Sequence, residues 1–573
     1  MNEKRRQFLR NSGVVTTGLS LFPRLGWADP AASAPRKTKE VIKMLTVIND
    51  EKVPGLLEKQ IDQPGDRWHG GLKNVYELPN EHSTTSFMVV LGGAYASPSS
   101  QYYRSAELEQ PLERAIECLL RVQHEDGTID LYSTNFHSTP DTAFIVNYLS
   151  PVYACLKRME RPGLRGFIGK LENFFQNAAE CLRSGGIHTA NHRWVVSSAL
   201  ARVFSFFPDA RLVDRVNAWL GEGIDMDPDG QYTERSVSIY SPICNTMFLT
   251  IGRLLDRPEL MDVVRRNLSM SLYYIHPDGE VLTDASDRQD RAYTGYVKEY
   301  YYAYRYFAIV DQDPQFAAVC ELIEEKMPER ITHFLPALLE LPIFEKKMPT
   351  AGRIPDQYVR RFSHSGILRI RRGDTDISVI ERNPTFLAYR KGSAVLQSMR
   401  LGAAFFGKGQ FESQEAVFDT KSVTFKWSAS GPYYQPIAPE IRTGENDWET
   451  YSRDARGQSE IQYQEMTVTI TENEGRVEVE AEITGTKHVP VAWELSFRKG
   501  GTLSGVTEDP QVADAYFLES GEGSYQLGEH TIRFGPGAVT HKWSQMRGTL
   551  PKQEGYSVYI TGYTPFKHKI YLE

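Results

Sequence analysis

Polar side chains of the kinds that perform acid–base chemistry follow each of four glycine turns in the first half of this chain. The turns contain Gly127, Gly185, Gly230 and Gly279, and they are 58, 45 and 49 residues apart. Histidine, asparagine, arginine and tyrosine recur beside carboxylates after these turns. The four sets are Asn135, His137 and Asp141; Asn191, His192 and Arg193; Glu234, Arg235 and Tyr240; and Asp284, Asp287, Arg288 and Tyr293.

These residue types suit β-elimination at a uronic acid. The proton at C5 of a uronate is too weakly acidic to be removed while the adjacent carboxylate keeps its charge, so asparagine and histidine donors must neutralise that charge. A tyrosine then removes the proton and delivers one to the leaving glycosidic oxygen. A phenol, with an ordinary pKa of about 10, is a poor base, so we expect Arg193 or Arg235 to favour its ionised form.

Two other functions fit the same residues. The first is a glycoside hydrolase in which Glu234 and Asp284 form the acid–base pair; it requires both carboxylates and tolerates Tyr240→Phe. The second is a non-catalytic protein that binds acidic glycans, which predicts affinity without turnover. Arg193, Arg235 and Glu234 are also candidates for structural ion pairs.

The elements that carry these residues are predicted to be helical hairpins. Apolar residues recur every three or four positions from about 105 to 340, as in Leu112, Ile116 and Leu119, which is the helical period. One hairpin and its loops take about the distance between two turns, so the sequence predicts a repeat of hairpins. Hairpins stacked in a ring place their turns at one end, where the four polar sets converge on one cleft.

The period changes from 3.6 to 2 after a segment rich in proline and glycine at 346–358. Residues 367–372 alternate before the turn at Gly373, and 466–481 read as a hairpin around Gly475. We therefore predict an α+β multidomain chain, with helical hairpins at 29–345, a linker at 346–358 and an antiparallel β-sandwich at 359–573.

This domain order, with an Asn-His pair and a tyrosine about 50 residues later, resembles the heparinase II/III and alginate lyase group. The resemblance implies an (α/α) toroid, a polysaccharide lyase activity and a uronic-acid-containing substrate. It matches Asn191 and His192 to the group's carboxylate-neutralising pair, and Tyr240 to its catalytic tyrosine. The remaining candidates for substrate contact are Arg193, Arg235, Glu234, His137, Asn135, Arg288, Tyr293 and His364.

His364 lies in Phe362-Ser-His364-Ser-Gly366, which resembles the first β-domain strand of the group. Many members of the group carry a catalytic or metal-binding histidine in that domain, often as His-x-His. The sequence has no His-x-His there, so it predicts no metal site and no cofactor, and His364 is the candidate for the remaining base.

Composition excludes several other classes. The net charge of −8 argues against a general nucleic-acid binder, and no apolar run after the N-terminus is long enough to span a membrane. Phosphate-loop, dinucleotide and nucleophile-elbow motifs are absent from the sequence. The five cysteines form no Cys-x-x-Cys pair and are predicted to be buried thiols. The partner we expect is an acidic polysaccharide or oligosaccharide; the oligomeric state does not follow from the sequence.

Residues 1–28 have a charged start containing Arg5 and Arg6, a short apolar stretch and a small-residue end. This pattern is typical of a secretory signal and resembles a twin-arginine signal. We expect a bacterial periplasmic or secreted protein.

Overall fold

The computed structural model describes residues 38–419, 422–444 and 448–573. Its contacts divide the chain into one unit that ends at Ile354 and a second unit, Pro355–Glu573. The boundary lies within the segment 346–358. The predicted signal segment, 1–28, lies outside the described residues.

Twelve α-helices form the described part of the first unit, and no helix there is long and apolar enough to cross a membrane. They are α1 (Thr38–Lys59), α2 (Glu81–Ala96), α3 (Glu109–Val122), α4 (Thr139–Lys157), α5 (Arg165–Ser184), α6 (His192–Phe206), α7 (Ala210–Gly221), α8 (Tyr240–Leu254), α9 (Pro258–Ser271), α10 (Tyr301–Val310), α11 (Pro314–Lys326) and α12 (Leu335–Glu340).

The helices from α2 to α11 pack as five hairpins. Each even-numbered helix contacts the odd-numbered helix that follows it, and α2, α4, α6, α8 and α10 also contact one another in succession. Short connections make the two helices of a hairpin antiparallel, and the contacts of Phe144 with His192 and of Asn147 with Ser198 show that α4 and α6 run in the same direction. The predicted hairpin repeat is therefore confirmed. The repeat begins with α2, before the segment in which the periodicity indicated helices. Helix α2 is buried on most of its surface, so it lacks the polar face that gives a sequence its helical period.

Three of the four glycine turns are copies of one local structure. In each, the glycine amide and the amide three residues before it make equivalent backbone hydrogen bonds, and the glycine φ lies between 84° and 96°. Glycine adopts this left-handed conformation without the Cβ clash of other residues. The remaining turn, at Gly185, differs because this glycine has a φ of −74° and lies at the C-terminal end of α5. The three matching turns are His124–Thr128, Asp227–Gln231 and His276–Glu280.

Short hairpins accompany the loops of the first unit, and two large sheets form the second. The short strands are β1 (Leu72–Lys73), β2 (Pro79–Asn80), β3 (Ile129–Leu131), β4 (Asn135–Ser138), β5 (Glu280–Val281) and β6 (Gly295–Tyr296). The strands of the second unit are β7 (Gln357–Phe362), β8 (Ile367–Arg372), β9 (Thr375–Ile380), β10 (Leu387–Lys391), β11 (Ala394–Ala403), β12 (Gly409–Gln410), β13 (Glu415–Phe418), β14 (Ser422–Tyr434), β15 (Gln458–Asn473), β16 (Arg476–Gly485), β17 (Pro490–Phe497), β18 (Thr502–Ser504), β19 (Thr507–Glu508), β20 (Ala515–Phe517), β21 (Gly523–Leu527), β22 (His530–Gly535), β23 (Tyr556–Tyr563) and β24 (Phe566–Leu572).

The two sheets of the second unit share one hydrophobic core, which makes them a sandwich. One sheet has the order β19-β20-β23-β17-β11-β10-β9-β8-β7, with β12 on β11, and the other has the order β13-β14-β15-β16-β24-β22-β21-β18. Trp493 and Leu495 from the first sheet and Val468 and Val479 from the second lie in the same buried cluster. The predicted sandwich is confirmed. Its antiparallel pairing has one exception among the described strands, because β20 pairs with β23 in parallel.

The five cysteines, Cys118, Cys155, Cys181, Cys244 and Cys320, are buried and unpaired thiols, as predicted.

Candidate active site

Polar residues that follow the turns at Gly185, Gly230 and Gly279 are linked to one another through Asn191, Glu234, Arg288 and Tyr240. His192 is the first residue of α6 and Tyr240 is the first residue of α8. The first turn of α4 supplies Asp141. Because a helix N-terminus carries a partial positive charge, this end of the ring favours an anionic ligand.

Asn191 is directed towards Glu234. The Asn191 side chain is buried, with 1% of its surface exposed, and its Nδ2 group donates to Glu234 Oε2 at 2.8 Å and to Thr189 Oγ1 at 3.3 Å. Burial raises the pKa of Glu234, although the bond from Asn191 and the charge of Arg288 oppose the shift. The two loops that follow Gly186 and Gly230 are thereby joined at the site.

His192 is held as a neutral imidazole. Its ring lies 4.8 Å from the His188 ring and 6.2 Å from the Phe144 ring, both edge to face. Burial lowers the pKa of His192 to about 4, and His188 and Arg288 act in the same direction while Asp141 opposes them. At neutral pH this side chain is therefore uncharged, and its Nδ1 atom is buried without a hydrogen-bond partner among the described residues.

Tyr240 contacts two side chains of the segment that follows Gly279. Gln289 Nε2 donates to Tyr240 Oη at 2.7 Å, and the Arg288 guanidinium carbon lies 5.0 Å from the centre of the Tyr240 ring. Arg288 also lies 3.9 Å from Glu234 Oε1 and is about one-third exposed. Arg288 is thus the arginine that contacts Tyr240.

Asp290 fixes this segment against the loop before α8. Its carboxylate is fully buried and accepts hydrogen bonds from the Ser238 amide at 3.1 Å, from Ser238 Oγ at 3.0 Å and from Ser286 Oγ. Charge-assisted bonds of this kind are among the stronger ones in proteins. The contact of Gln289 with Tyr240 is therefore supported by a buried anchor on the adjacent residue.

The loop before α4 supplies a separate polar group. Asp141 accepts from Asn135 Nδ2 at 3.0 Å and from Ser138 Oγ, and it lies 3.4 Å from His82 Nε2. His137 is stacked on His124 at 3.8 Å between ring centres, and its Nδ1 lies 2.7 Å from Asp126 Oδ2. Asn135 and His137 are therefore engaged in the local structure of this loop.

The two predicted arginines, Arg193 and Arg235, both lie beside acidic side chains. Arg193 pairs with Asp225 at 2.9 Å and Glu222 at 3.3 Å and lies over the Trp194 ring, so it has a structural role. Arg235 lies 3.8 Å from Asp287. Sequence spacing does not reveal these acidic neighbours, and the expected effect of Arg193 or Arg235 on Tyr240 stays a prediction.

Tyr293 and His364 complete the predicted set. Tyr293 is 42% exposed, and burial, Asp290 and Tyr240 together raise its pKa to about 12. His364 is exposed on the connection between β7 and β8, in the second unit. Among the described residues, no group of three or more histidine, cysteine or carboxylate side chains is arranged to hold a metal ion.

The sequence reasoning missed Gln289, Asp290, His188 and His82. A single glutamine, aspartate or histidine forms no motif, so these residues are recognised as part of the site only by their contacts in the folded chain. The sequence offered one signal for two of them, which is their position: Gln289 and Asp290 follow Arg288, in the set after Gly279.

Comparison with known proteins supports the fold. No protein-family model matches the chain, and no curated protein matches it. Heparinase III has a similar structure, with a TM-score of 0.55 and 9% identity over 96% of this chain and 87% of that chain. Paenibacillus xanthan lyase gives 0.54 and 8% over 93% and 57%, and a mutant of Streptomyces coelicolor A3 chondroitin AC lyase gives 0.51 and 12% over 96% and 80%. The resemblance predicted from the sequence, to a helical toroid followed by a β-sandwich, is therefore confirmed as a likeness of fold.

Proposed function

We propose that this chain is a polysaccharide lyase that cleaves a uronic-acid-containing polysaccharide by β-elimination, with Tyr240 as the base and acid. The observation that carries the proposal is the meeting of Tyr240, Arg288, His192 and Asn191, which three separate loops bring to the same end of the helical ring. The solved structures of similar fold include those of a heparinase, a xanthan lyase and a chondroitin AC lyase.

Arg288 and His192 receive the substrate carboxylate in this proposal. Arg288 is a permanent cation and is partly exposed beside Tyr240. His192, with its pKa near 4, supplies one N–H group. The N-termini of α6 and α8 add a positive potential. In this structure the side-chain amide of Asn191 donates to Glu234 and to Thr189. To reach the substrate carboxylate, Asn191 therefore turns away from Glu234 when substrate binds.

Tyr240 then transfers the proton. Its ionised oxygen takes the proton from C5, the electron pair forms the C4–C5 double bond, and the bond from C4 to the glycosidic oxygen breaks. The Tyr240 hydroxyl returns the proton to that leaving oxygen, which becomes the hydroxyl of the departing sugar. Gln289 donates its 2.7 Å hydrogen bond to this same oxygen and holds it in position.

One observation favours the hydrolase alternative. Burial raises the pKa of Glu234, as a glycosidase needs for its general acid. The same carboxyl accepts from Asn191 and faces Arg288, which suits a residue that positions its neighbours. The hydrolase requires Glu234 and Asp284 as its pair, so it remains the second candidate.

The product distinguishes these functions. Elimination leaves a double bond conjugated to the carboxylate, which absorbs in the ultraviolet, whereas hydrolysis releases reducing ends without it. The chain is incubated with alginate, chondroitin, heparan sulfate and xanthan, and both signals are followed. Equal growth of the two signals on one polymer supports the lyase; reducing ends alone indicate the hydrolase, and binding without either signal indicates a glycan-binding protein.

We also propose that the protein acts in the periplasm or outside the cell, on the evidence of residues 1–28. Fractionation of bacteria that express the full chain, with and without these residues, tests this location.

A further inference from the structure

The longest hairpin of the second unit carries an unusually long connection. Strands β14 and β15 are joined by residues 435–457, whereas hairpin loops have about two to five residues. Hydrogen bonds close its base: the Gln435 amide donates to Gly457 O at 2.8 Å, and Gln435 Nε2 donates to Ser459 Oγ at 2.7 Å. Loops longer than about 12–15 residues are uncommon in compact domains and are usually either functional or linker segments.

Described residues on both sides of this connection line an open cavity of about 570 Å³. Three aromatic rings line it, those of Tyr434, Trp448 and Tyr451, and two arginines, Arg442 and Arg456. Ligand cavities commonly measure about 300–1,000 Å³ and combine aromatic walls with a few fixed polar groups. All of these lining residues belong to the second unit.

The arginines are held in place by the protein. Arg442 donates through Nε and Nη2 to Ile437 O, at 3.0 Å in each case. The Arg456 guanidinium carbon lies 3.6 Å from the centre of the Trp448 ring, and its Nη1 donates to Gln435 O at 3.4 Å. A guanidinium fixed in this way pairs well with a planar carboxylate, because it loses little freedom on binding.

We propose that this cavity is a second glycan-binding site that takes a uronate unit of an acidic polysaccharide. The aromatic rings contact the apolar face of the sugar ring, with Trp448 half exposed for this purpose, and the arginines bind its carboxylate. The choice of a uronate glycan rests on the proposed function. The site itself is independent of Tyr240, and it holds the chain on its polymer between cleavage events.

Affinity electrophoresis of the full chain through gels containing alginate or chondroitin tests the site, with dextran as the neutral polymer. All samples carry Tyr240→Phe to prevent turnover. Trp448→Ala and Arg442→Gln are each expected to weaken the apparent affinity at least tenfold, and Trp448→Phe is expected to retain most of it. The matched controls are Tyr433→Ala, an exposed ring on the same hairpin, and Arg476→Gln, an exposed arginine over Tyr571; both are expected to stay within twofold.

Equal migration of Trp448→Ala and Tyr433→Ala overturns the proposal, and so does a parent chain that neither acidic polymer retards. Melting temperatures of the variants exclude a folding defect as the cause. The outcome is separate from the lyase assay. Loss of retardation in Trp448→Ala supports the site even when the chain without Tyr240→Phe cleaves no polymer. Unchanged retardation rejects the site even when that chain is a lyase.

Discussion

Gln289 donates a hydrogen bond of 2.7 Å to the phenolic oxygen of Tyr240. The neighbouring Asp290 is buried and anchored to Ser238 and Ser286, so the amide is held at the one atom that exchanges protons in the proposed reaction. Gln289 is therefore placed to position this oxygen.

Gln289→Leu therefore tests Gln289 as a positioning residue for the reaction. We expect kcat to fall about 10- to 100-fold, since a hydrogen bond to a charged group contributes about 1.5–3 kcal/mol, while KM stays within twofold. Gln526→Leu, on strand β21, is the control. A loss that appears as a rise in KM, with kcat within twofold of the parent value, contradicts this role.

Glu234→Gln separates the lyase from the hydrolase. The amide oxygen of the variant can still accept from Asn191 Nδ2, so a lyase is expected to keep at least about a tenth of its kcat/KM, which corresponds to a loss of about 1.4 kcal/mol. A hydrolase that uses Glu234 as its acid loses essentially all turnover. Reducing-end release by the two chains measures the difference.

His192 makes the stability of the protein depend on pH. The pKa of His192 is about 4 in the folded chain against an ordinary 6.5, so between these values the unfolded chain takes up a proton that the folded chain does not. The free energy of unfolding is therefore expected to fall as the pH drops from 6.5 to 4, by at most about 3 kcal/mol. Denaturant unfolding of His192→Gln is expected to lack this part of the dependence. The exposed His488→Gln serves as control, and a parallel dependence in parent and His192→Gln contradicts the assignment.

Glu81 has the opposite effect. It begins α2, it is 1% exposed, and burial raises its pKa to about 7 from 4.5. The folded chain keeps the Glu81 proton between pH 4.5 and 7 while the unfolded chain loses it, so this contribution to stability is complete below pH 4.5 and is lost as the pH rises through 7. Glu81→Gln is expected to stabilise the chain at pH 8.5 by at most about 3 kcal/mol and to give no gain at pH 4.5. Glu107→Gln, on the surface, should change neither; equal effects of Glu81→Gln at both pH values contradict the prediction.

Periodicity and turn residues predicted the architecture well, because both features act locally. Apolar residues at helical spacing identified the hairpins, and alternation before Gly373 identified β8. Helix α2 escaped this reasoning because its burial on most sides removes the amphipathic pattern. The parallel pair of β20 and β23 depends on a long-range register that local sequence does not encode.

The candidate site was less accessible to sequence reasoning. Asn191, His192 and Tyr240 follow glycine turns, and that position predicted where they meet. The pairing of charges did not follow from the sequence: Arg193 pairs with Asp225, and Arg288 lies at Tyr240. Several acidic residues lie at similar distances along the chain, and only the folded loops select among them.

The absorbance of unsaturated uronate, measured for the parent chain and for Tyr240→Phe on the polymer that the parent cleaves, tests the central claim most directly. Tyr103→Phe, which removes a hydroxyl from a ring that contacts Arg104, controls for the loss of a phenol elsewhere in the first unit. We expect absorbance to rise with the parent and with Tyr103→Phe, and Tyr240→Phe to reduce the rate at least about 1,000-fold, equivalent to about 4 kcal/mol. A Tyr240→Phe chain that keeps producing unsaturated uronate at the parental rate, or a parent that releases reducing ends without this absorbance, contradicts it.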